Sequence, residues 1–247
     1  MVLSPHPETK KPHPIDFFQN FGYTIITILW RLSMSYQAIL FDLDGTLLNT
    51  LDDLHNSVNR TLSAFHLPTR TREETRLAVG DGVGMLIARS IPKGQDNPAF
   101  AEVLEAFRAD YAKNSRIMTA PYEGISPLLA TLREKGIRIG VVSNKFDSAV
   151  KALCSEYFDD LVEVAVGERE NVRRKPHPDS LFAAMESLGV SPADCLYVGD
   201  SETDVASAKN AGIDCCSVLW GFRDKETLIE AGADCFVKKP NEILTLI

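Results

Sequence analysis

Asp42 and Asp44 stand two residues apart at the end of an apolar run, Ala38-Ile39-Leu40-Phe41, and Gly45-Thr46 follows at once. Residues i and i+2 of a strand share a face, so both carboxylates would project together where the strand breaks at the glycine. Two ionised carboxylates so placed repel each other unless a cation, a shared proton or a substrate charge compensates. The pair reads as a catalytic site, although Asp-Gly is also an ordinary turn signal.

Three later segments repeat the arrangement of an apolar run that ends in polar groups. Residues 137–142 lead into Ser143-Asn144-Lys145, a hydroxyl and an amide suited to holding phosphate oxygens by neutral hydrogen bonds. Arg173-Arg174-Lys175-Pro176-His177-Pro178 sets a cationic lysine before a proline that can open a helix over residues 178–188. Residues 195–199 end at Asp200, followed by Ser201-Glu202-Thr203-Asp204 at a helix start. Taken singly, each has a plainer reading. Asp200 and Asp204 can cap a helix, Lys175 can be one more solvated charge, and Ser143-Asn144 can be turn chemistry. Taken in order at strand ends, they gather where open parallel α/β sheets bind ligands.

With DLDGT at 42–46, SNK at 143–145, KPHP at 175–178 and GDSETD at 199–204, the chain resembles the haloacid dehalogenase superfamily of hydrolases, and within it the phosphoglycolate phosphatase-like branch. The resemblance covers roughly residues 36 to 247 and rests on four ordered motifs. It implies a phosphomonoester phosphatase acting on a small phosphorylated metabolite, with Asp42 as the nucleophile that forms an aspartyl-phosphate. Asp44 would protonate the leaving alcohol and then deprotonate the hydrolytic water. Mg²⁺ is the implied cofactor, held by the Asp42 carboxylate, the Asp44 backbone carbonyl and the Asp200 carboxylate, all hard oxygens. Asp204 would orient this group from behind. Ser143 and Lys175 would hold the phosphoryl group, with Asn144 and Thr46 in support. His177 is expected to be a surface or helix-start residue, since no second histidine sits at ligand spacing.

Other functions of the same chemistry stay open at this point. A phosphosugar mutase of the β-phosphoglucomutase kind uses the same aspartyl-phosphate, and an inorganic pyrophosphatase shares the fold. A dehalogenase needs no acid such as Asp44, because a halide leaves without a proton. A receiver-like signalling module or an idle phosphate-binding protein is the non-enzyme alternative.

Composition narrows the partners. A net charge of −8 and the lack of a basic stripe beyond residues 173–175 argue against nucleic-acid binding. Cys154, Cys195, Cys215, Cys216 and Cys235 lack CxxC spacing and sit mostly in apolar runs, which reads as reduced core cysteine in a cytoplasmic protein. The expected assembly is a monomer or homodimer away from any membrane. Residues 1–34 read as a disordered or spurious extension, with Met34 as the expected translational start. Pro5, Pro7, Pro12 and Pro14 crowd the first part, and the apolar stretch 21–32 has about twelve residues where a membrane helix needs roughly twenty.

The elements that must position these groups follow from periodicity. Strand and helix patterns alternate after residue 118, which predicts an α/β fold with a Rossmann-like parallel sheet core. Between the first strand and residue 118 the period becomes helical: Leu51, Leu54, His55, Val58, Leu62 and Phe65 recur on one face, as do Phe100, Val103, Leu104, Phe107 and Tyr111. The inserted helices resemble the small helical cap of the phosphoglycolate phosphatase-like branch, which implies a catalytic core of residues 35–49 and 118–247 with an inserted small helical cap domain over 50–117. A cap excludes water from a phosphoryl intermediate and carries specificity residues. Within it, Gly80, Gly82 and Gly84 precede a helix and can let backbone N–H groups approach an anion, so Gly82 and Arg89 are candidate substrate contacts. Asp81 in that loop argues against phosphoglycolate itself.

Overall fold

The computed structural model describes residues 36–247. The expectations for residues 1–34 lie outside the described residues. In chain order the elements are β1 (Ala38–Phe41), β2 (Leu48–Asn49), α1 (Leu51–Ala64), α2 (Arg72–Ala78), α3 (Val83–Ser90), α4 (Phe100–Asn114), β3 (Ala120–Pro121), α5 (Ile125–Glu134), β4 (Arg138–Phe146), α6 (Asp147–Phe158), β5 (Val164–Glu168), α7 (Asp179–Leu188), β6 (Cys195–Gly199), α8 (Glu202–Ala211), β7 (Asp214–Val218), α9 (Lys225–Glu230) and β8 (Phe236–Val237).

The side chains of β1 divide by parity. Ile39 and Phe41 join one hydrophobic cluster with Leu128, Leu129, Leu132, Val150 and Leu153. Ala38 and Leu40 join another with Leu181, Ala184, Met185 and Leu188. A strand covered on both faces needs apolar residues at both parities, which is why the run is continuous. Helices α5 and α6 cover one face and α7 and α8 the other. The sheet has the order β5-β4-β1-β6-β7-β8 with parallel pairing throughout. This is the α/β Rossmann-like sheet expected from the sequence. Because β1 lies between β4 and β6, the direction of winding reverses beside it, and the crevice at the carboxyl ends of these three strands is where such sheets bind ligands.

Helices α1 to α4 pack around a further cluster that contains Leu54, Val58, Leu62, Leu86, Ile87, Val103, Phe107 and Tyr111, with Phe222 reaching in from the segment after β7. The helical stripes are therefore packing residues. His55 departs from its stripe: it is only half-buried, and its ring meets the Thr75 hydroxyl at 3.1 Å. The chain enters and leaves this block through β2 and β3, which pair antiparallel. The buried Asp53 carboxylate locks the return, accepting hydrogen bonds from the backbone N–H groups of Ile117, Met118 and Thr119 at 3.0, 3.0 and 2.8 Å. Residues 36–247 form one compact unit.

One strand differs from expectation in a way that matters. Strand β4 continues past Val142 to Phe146, and its pairing with β5 shifts register between those residues. Such irregularities bend a strand and re-aim its side chains. Ser143, Asn144 and Lys145 consequently sit in the strand end, not in a turn, and all three are buried.

Candidate active site

Asp42 continues β1 by donating its backbone N–H to the Val198 carbonyl at 2.9 Å, which carries its side chain to the sheet edge. There its Oδ1 accepts from Lys175 Nζ at 2.7 Å. The same ammonium reaches Asp204 Oδ1 at 2.7 Å and the Tyr197 hydroxyl at 2.9 Å, which uses all three of its N–H bonds. Burial works against the charge on Lys175, but Asp204 and Asp42 outweigh it and hold the lysine above its ordinary range. Burial raises the Asp42 carboxyl, while Lys175 pulls it back.

Asp204 fixes the far side. Its Oδ2 accepts from Ser201 Oγ at 2.6 Å and from the backbone N–H groups of Ser201 and Asp200 at 3.0 and 3.2 Å. With Ser201 it forms a reciprocal capping box at the start of α8. One side chain thus both caps α8 and holds Lys175. Burial opposes its ionisation, yet Lys175 and these donors hold its carboxyl below the usual range.

Asp200 has only neutral donors, the Thr46 hydroxyl at 3.1 Å and the Phe222 N–H at 2.7 Å. Burial, then the Asp204 charge, pushes its carboxyl up to about 7. Gly45, at φ +94°, and Gly221 press against it, and a Cβ at either would overlap the carboxylate. Asp42, Asp200 and Asp204 offer carboxylate oxygens within 4.8 Å of one another. Among the described residues, Lys175 is the one ammonium bonded within this group of three buried carboxylates, so the donor set fits a small hard cation. The Asp44 carboxylate is not among them. It lies against Lys145 Nζ at 2.8 and 3.1 Å, so any share of Asp44 in holding a cation falls to its backbone carbonyl.

A cavity of about 50 Å³ is bounded by Asp42, Asp44, Ser143, Asn144, Lys175 and Asp200 from the sheet edge and by Gly80, Gly82 and Val83 from the helical block. Asn144 joins the two sides, donating from Nδ2 to the Lys175 carbonyl at 3.1 Å and the Gly80 carbonyl at 3.3 Å. Its buried Oδ1 has no partner. Three candidate residues stand elsewhere than the sequence suggests. Thr46 is fully buried and holds Asp200, so it supports the carboxylate and does not face the cavity. Arg89 is turned to the Asp81 carboxylate and the Ala78 carbonyl, away from the cavity, because a nearby acid and a helix end satisfy it first. Asp81 also accepts from Thr203 Oγ1 at 2.8 Å, so its charge is spoken for and no longer argues against an anionic substrate. His177 is exposed, as expected of a surface residue.

The profile of the haloacid dehalogenase-like hydrolase family matches residues 39–218. The chain belongs to this family. It is 35% identical over 206 residues to a phosphoglycolate phosphatase of Rhodospirillum rubrum, covering 80% of this chain and 85% of that one. It is 29% identical to an N-acetylmuramic acid 6-phosphate phosphatase of Pseudomonas aeruginosa, covering 87% and 96%. A crystal structure from Lactobacillus delbrueckii subsp. bulgaricus, provisionally named a phosphoglycolate phosphatase, superposes with a TM-score of 0.80 at 34% identity over 85% of this chain and 97% of that one. The chain is a phosphatase of this hydrolase family, in its phosphoglycolate phosphatase-like branch.

Several groups of this hydrolase site escape sequence reasoning. Tyr197 looks like one more apolar strand residue, yet its hydroxyl joins Lys175 and Asp204. Arg223 lies outside the four motifs. It lines the cavity and ties the segment after β7 to the helical block through the carbonyls of Arg76 and Val79. Lys145 carried a signal in the SNK motif, but not its partner, since Tyr111 belongs to a stripe that reads as core. No helix among the described residues is long and apolar enough to cross a membrane.

Proposed function

We propose that the chain is a Mg²⁺-dependent phosphomonoester phosphatase that works through an aspartyl-phosphate on Asp42, with residues 50–117 acting as a cap over the site. The observation that carries this reading is the buried Asp42 carboxylate, set at the end of β1 between Lys175 and Asp200. An Asp42 oxygen attacks phosphorus, the bond from phosphorus to the ester oxygen breaks, and Asp44 gives that oxygen a proton. Water then attacks the phosphoryl group, its proton passes to Asp44, the Asp42–phosphorus bond breaks and inorganic phosphate leaves. Mg²⁺, held by Asp42, Asp200 and the Asp44 carbonyl, would supply positive charge for the phosphoryl oxygens. Ser143 lines the cavity where those oxygens would lie.

The substrate is small. Relatives that act on phosphoglycolate and on N-acetylmuramic acid 6-phosphate support this, and Gly82 and Val83 at the start of α3 line the cavity, where the N–H groups of a helix start favour an anionic substituent. Phosphoglycolate and phosphorylated sugar acids both carry one. The test is phosphate release from a panel of phosphoglycolate, sugar phosphates, nucleotides and pyrophosphate, with Mg²⁺ and with EDTA, for the unsubstituted protein and Asp42→Asn. Turnover that needs Mg²⁺ and vanishes in Asp42→Asn is expected. Turnover by Asp42→Asn near the unsubstituted level would remove the aspartyl-phosphate reading.

A further inference from the structure

Lys145 and Tyr111 have no part in the scheme above, yet they bear directly on Asp44. The Lys145 ammonium gives two N–H bonds to the Asp44 oxygens, at 2.8 and 3.1 Å, and the third to the Tyr111 hydroxyl at 3.0 Å. That exhausts its donors, so it has none left for a phosphate oxygen. Its nitrogen also sits 4.8 Å from the centre of the Tyr111 ring, which stacks on Phe107 at 5.5 Å. Lys145 and Tyr111 are 6% and 7% exposed, so solvent screens this contact little.

The two residues come from different parts of the fold. Lys145 is on the irregular end of β4 in the sheet, whereas Tyr111 and Phe107 are on α4, the last helix of the inserted block. Behind Lys145 lies a second cavity of about 380 Å³, walled by Phe107, Arg108, Tyr111, Phe146 and Leu153 among others. Close packing therefore does not pin the lysine from that side, and its hold on Asp44 leans on the Tyr111 hydroxyl and ring.

We propose that Lys145 and Tyr111 are positioning residues that together aim the Asp44 carboxylate, so that the proton transfers of the reaction depend on α4 being docked while attack by Asp42 does not. This rests on the reading of Asp42 as nucleophile and Asp44 as acid and base. Two steps use Asp44: the proton it gives to the leaving oxygen, and the proton it takes from the hydrolytic water. A leaving group that departs as a stable anion bypasses the first but not the second.

The experiment compares Tyr111→Phe, Lys145→Met and Lys145→Arg with the unsubstituted protein, using an alkyl phosphate that the protein turns over and p-nitrophenyl phosphate, with rapid-mixing detection of nitrophenol. Lys145→Met is expected to lower kcat on the alkyl ester about 100-fold, and Tyr111→Phe about 10-fold, with KM nearly unchanged. On p-nitrophenyl phosphate both variants should show a burst of nitrophenol close to one per enzyme, followed by slow turnover as the phosphoenzyme waits for hydrolysis. Lys145→Arg should restore part of the rate. A loss of the same size on both esters with no burst would mean a merely structural role and overturn the proposal, as would unchanged kcat on the alkyl ester. If Lys145→Met fails to fold, as judged by circular dichroism, Tyr111→Phe decides alone, since it removes one hydroxyl. The Asp42→Asn protein separates the two readings: an inactive Asp42→Asn beside a Tyr111→Phe of normal kcat and no burst sinks only the positioning role, while an active Asp42→Asn sinks the scheme beneath it.

Discussion

Each aspartate of the Asp42-Leu43-Asp44 pair meets a buried lysine, and each lysine meets a tyrosine, but the two assemblies are built from different parts of the molecule. Lys175 bonds Asp42 and is itself held by Tyr197 of β6 and Asp204 of α8, all from the part of the chain that builds and flanks the sheet. Lys145 and Tyr111 flank Asp44 across the boundary between the sheet and the helical block. The first assembly is the more buried, with side-chain exposures of 3% for Lys175, 1% for Asp204 and 9% for Asp42. In the second, Asp44 keeps 14% of its side chain exposed. The difference suits the two jobs. Under the proposed scheme, a nucleophile beside a cation site would be held rigidly, whereas an acid that serves a leaving group would lie at the opening through which that group departs.

The largest contrast should come from removing the lysines. Lys175→Met leaves Asp42 and Asp204 buried without their counter-ion and should cost about 3–5 kcal/mol of stability along with all measurable turnover. Lys145→Met leaves one partly exposed carboxylate and should cost only about 1–3 kcal/mol. Urea unfolding of the two variants checks this, and equal losses would erase the distinction between an enclosed assembly and a boundary one.

Next in size is Asp53→Ala, which takes the acceptor from three backbone N–H groups where the chain returns from the helical block. A stability loss of about 2 kcal/mol is expected. Looser seating of α4 should also slow hydrolysis of alkyl phosphates while sparing the first nitrophenol burst. An Asp53→Ala protein that slows both alike would detach the block from the Asp44 assembly.

Mg²⁺ should act most strongly through Asp200. Asp200 carries a carboxyl pushed up to about 7. A group raised in the folded state stabilises most below its ordinary unfolded value, and that stabilisation fades as pH rises through the folded value. A bound cation favours the ionised form and reverses the trend. Thermal unfolding should therefore show a Mg²⁺-induced rise of roughly 5 °C at pH 8, shrinking toward pH 5.5 as protons compete for Asp200. An equal rise at both pH values would place the ion elsewhere.

The smallest effect expected is that of Tyr197→Phe, about 1 kcal/mol in stability with an unaltered ratio of rates on alkyl and nitrophenyl esters. Tyr111→Phe should be similar in stability but change that ratio. Matching ratios for the two variants would show that neither tyrosine steers Asp44.

Much of this was legible before any coordinates. The strand that carries Asp42 was visible because a strand covered on both faces must be apolar at every position. The sheet class followed from alternating periods, and of the candidates picked out by their motifs, Asp42, Ser143, Lys175 and Asp200 line one cavity while Asp204 bonds Lys175. Arg89 and Thr46 were misplaced for the same reason that Tyr111, Tyr197 and Arg223 were missed. A polar side chain's partner is the nearest group in space, and spacing along the chain reports that only within one element. His55 and Tyr111 sit in similar apolar stripes, yet only tertiary contact gives them polar partners, Thr75 and Lys145.

The sequence by itself determined the family, the layered sheet and the order in which chemical groups reach its carboxyl edge, because these depend on local period and on motifs confined to a few residues each. Which lysine each carboxylate of the pair meets was decided by the tertiary structure. The register shift at the end of β4 turns Lys145 toward Asp44, and the docking of α4 brings Tyr111 to meet it across 34 positions of chain, a convergence set by how the block packs on the sheet.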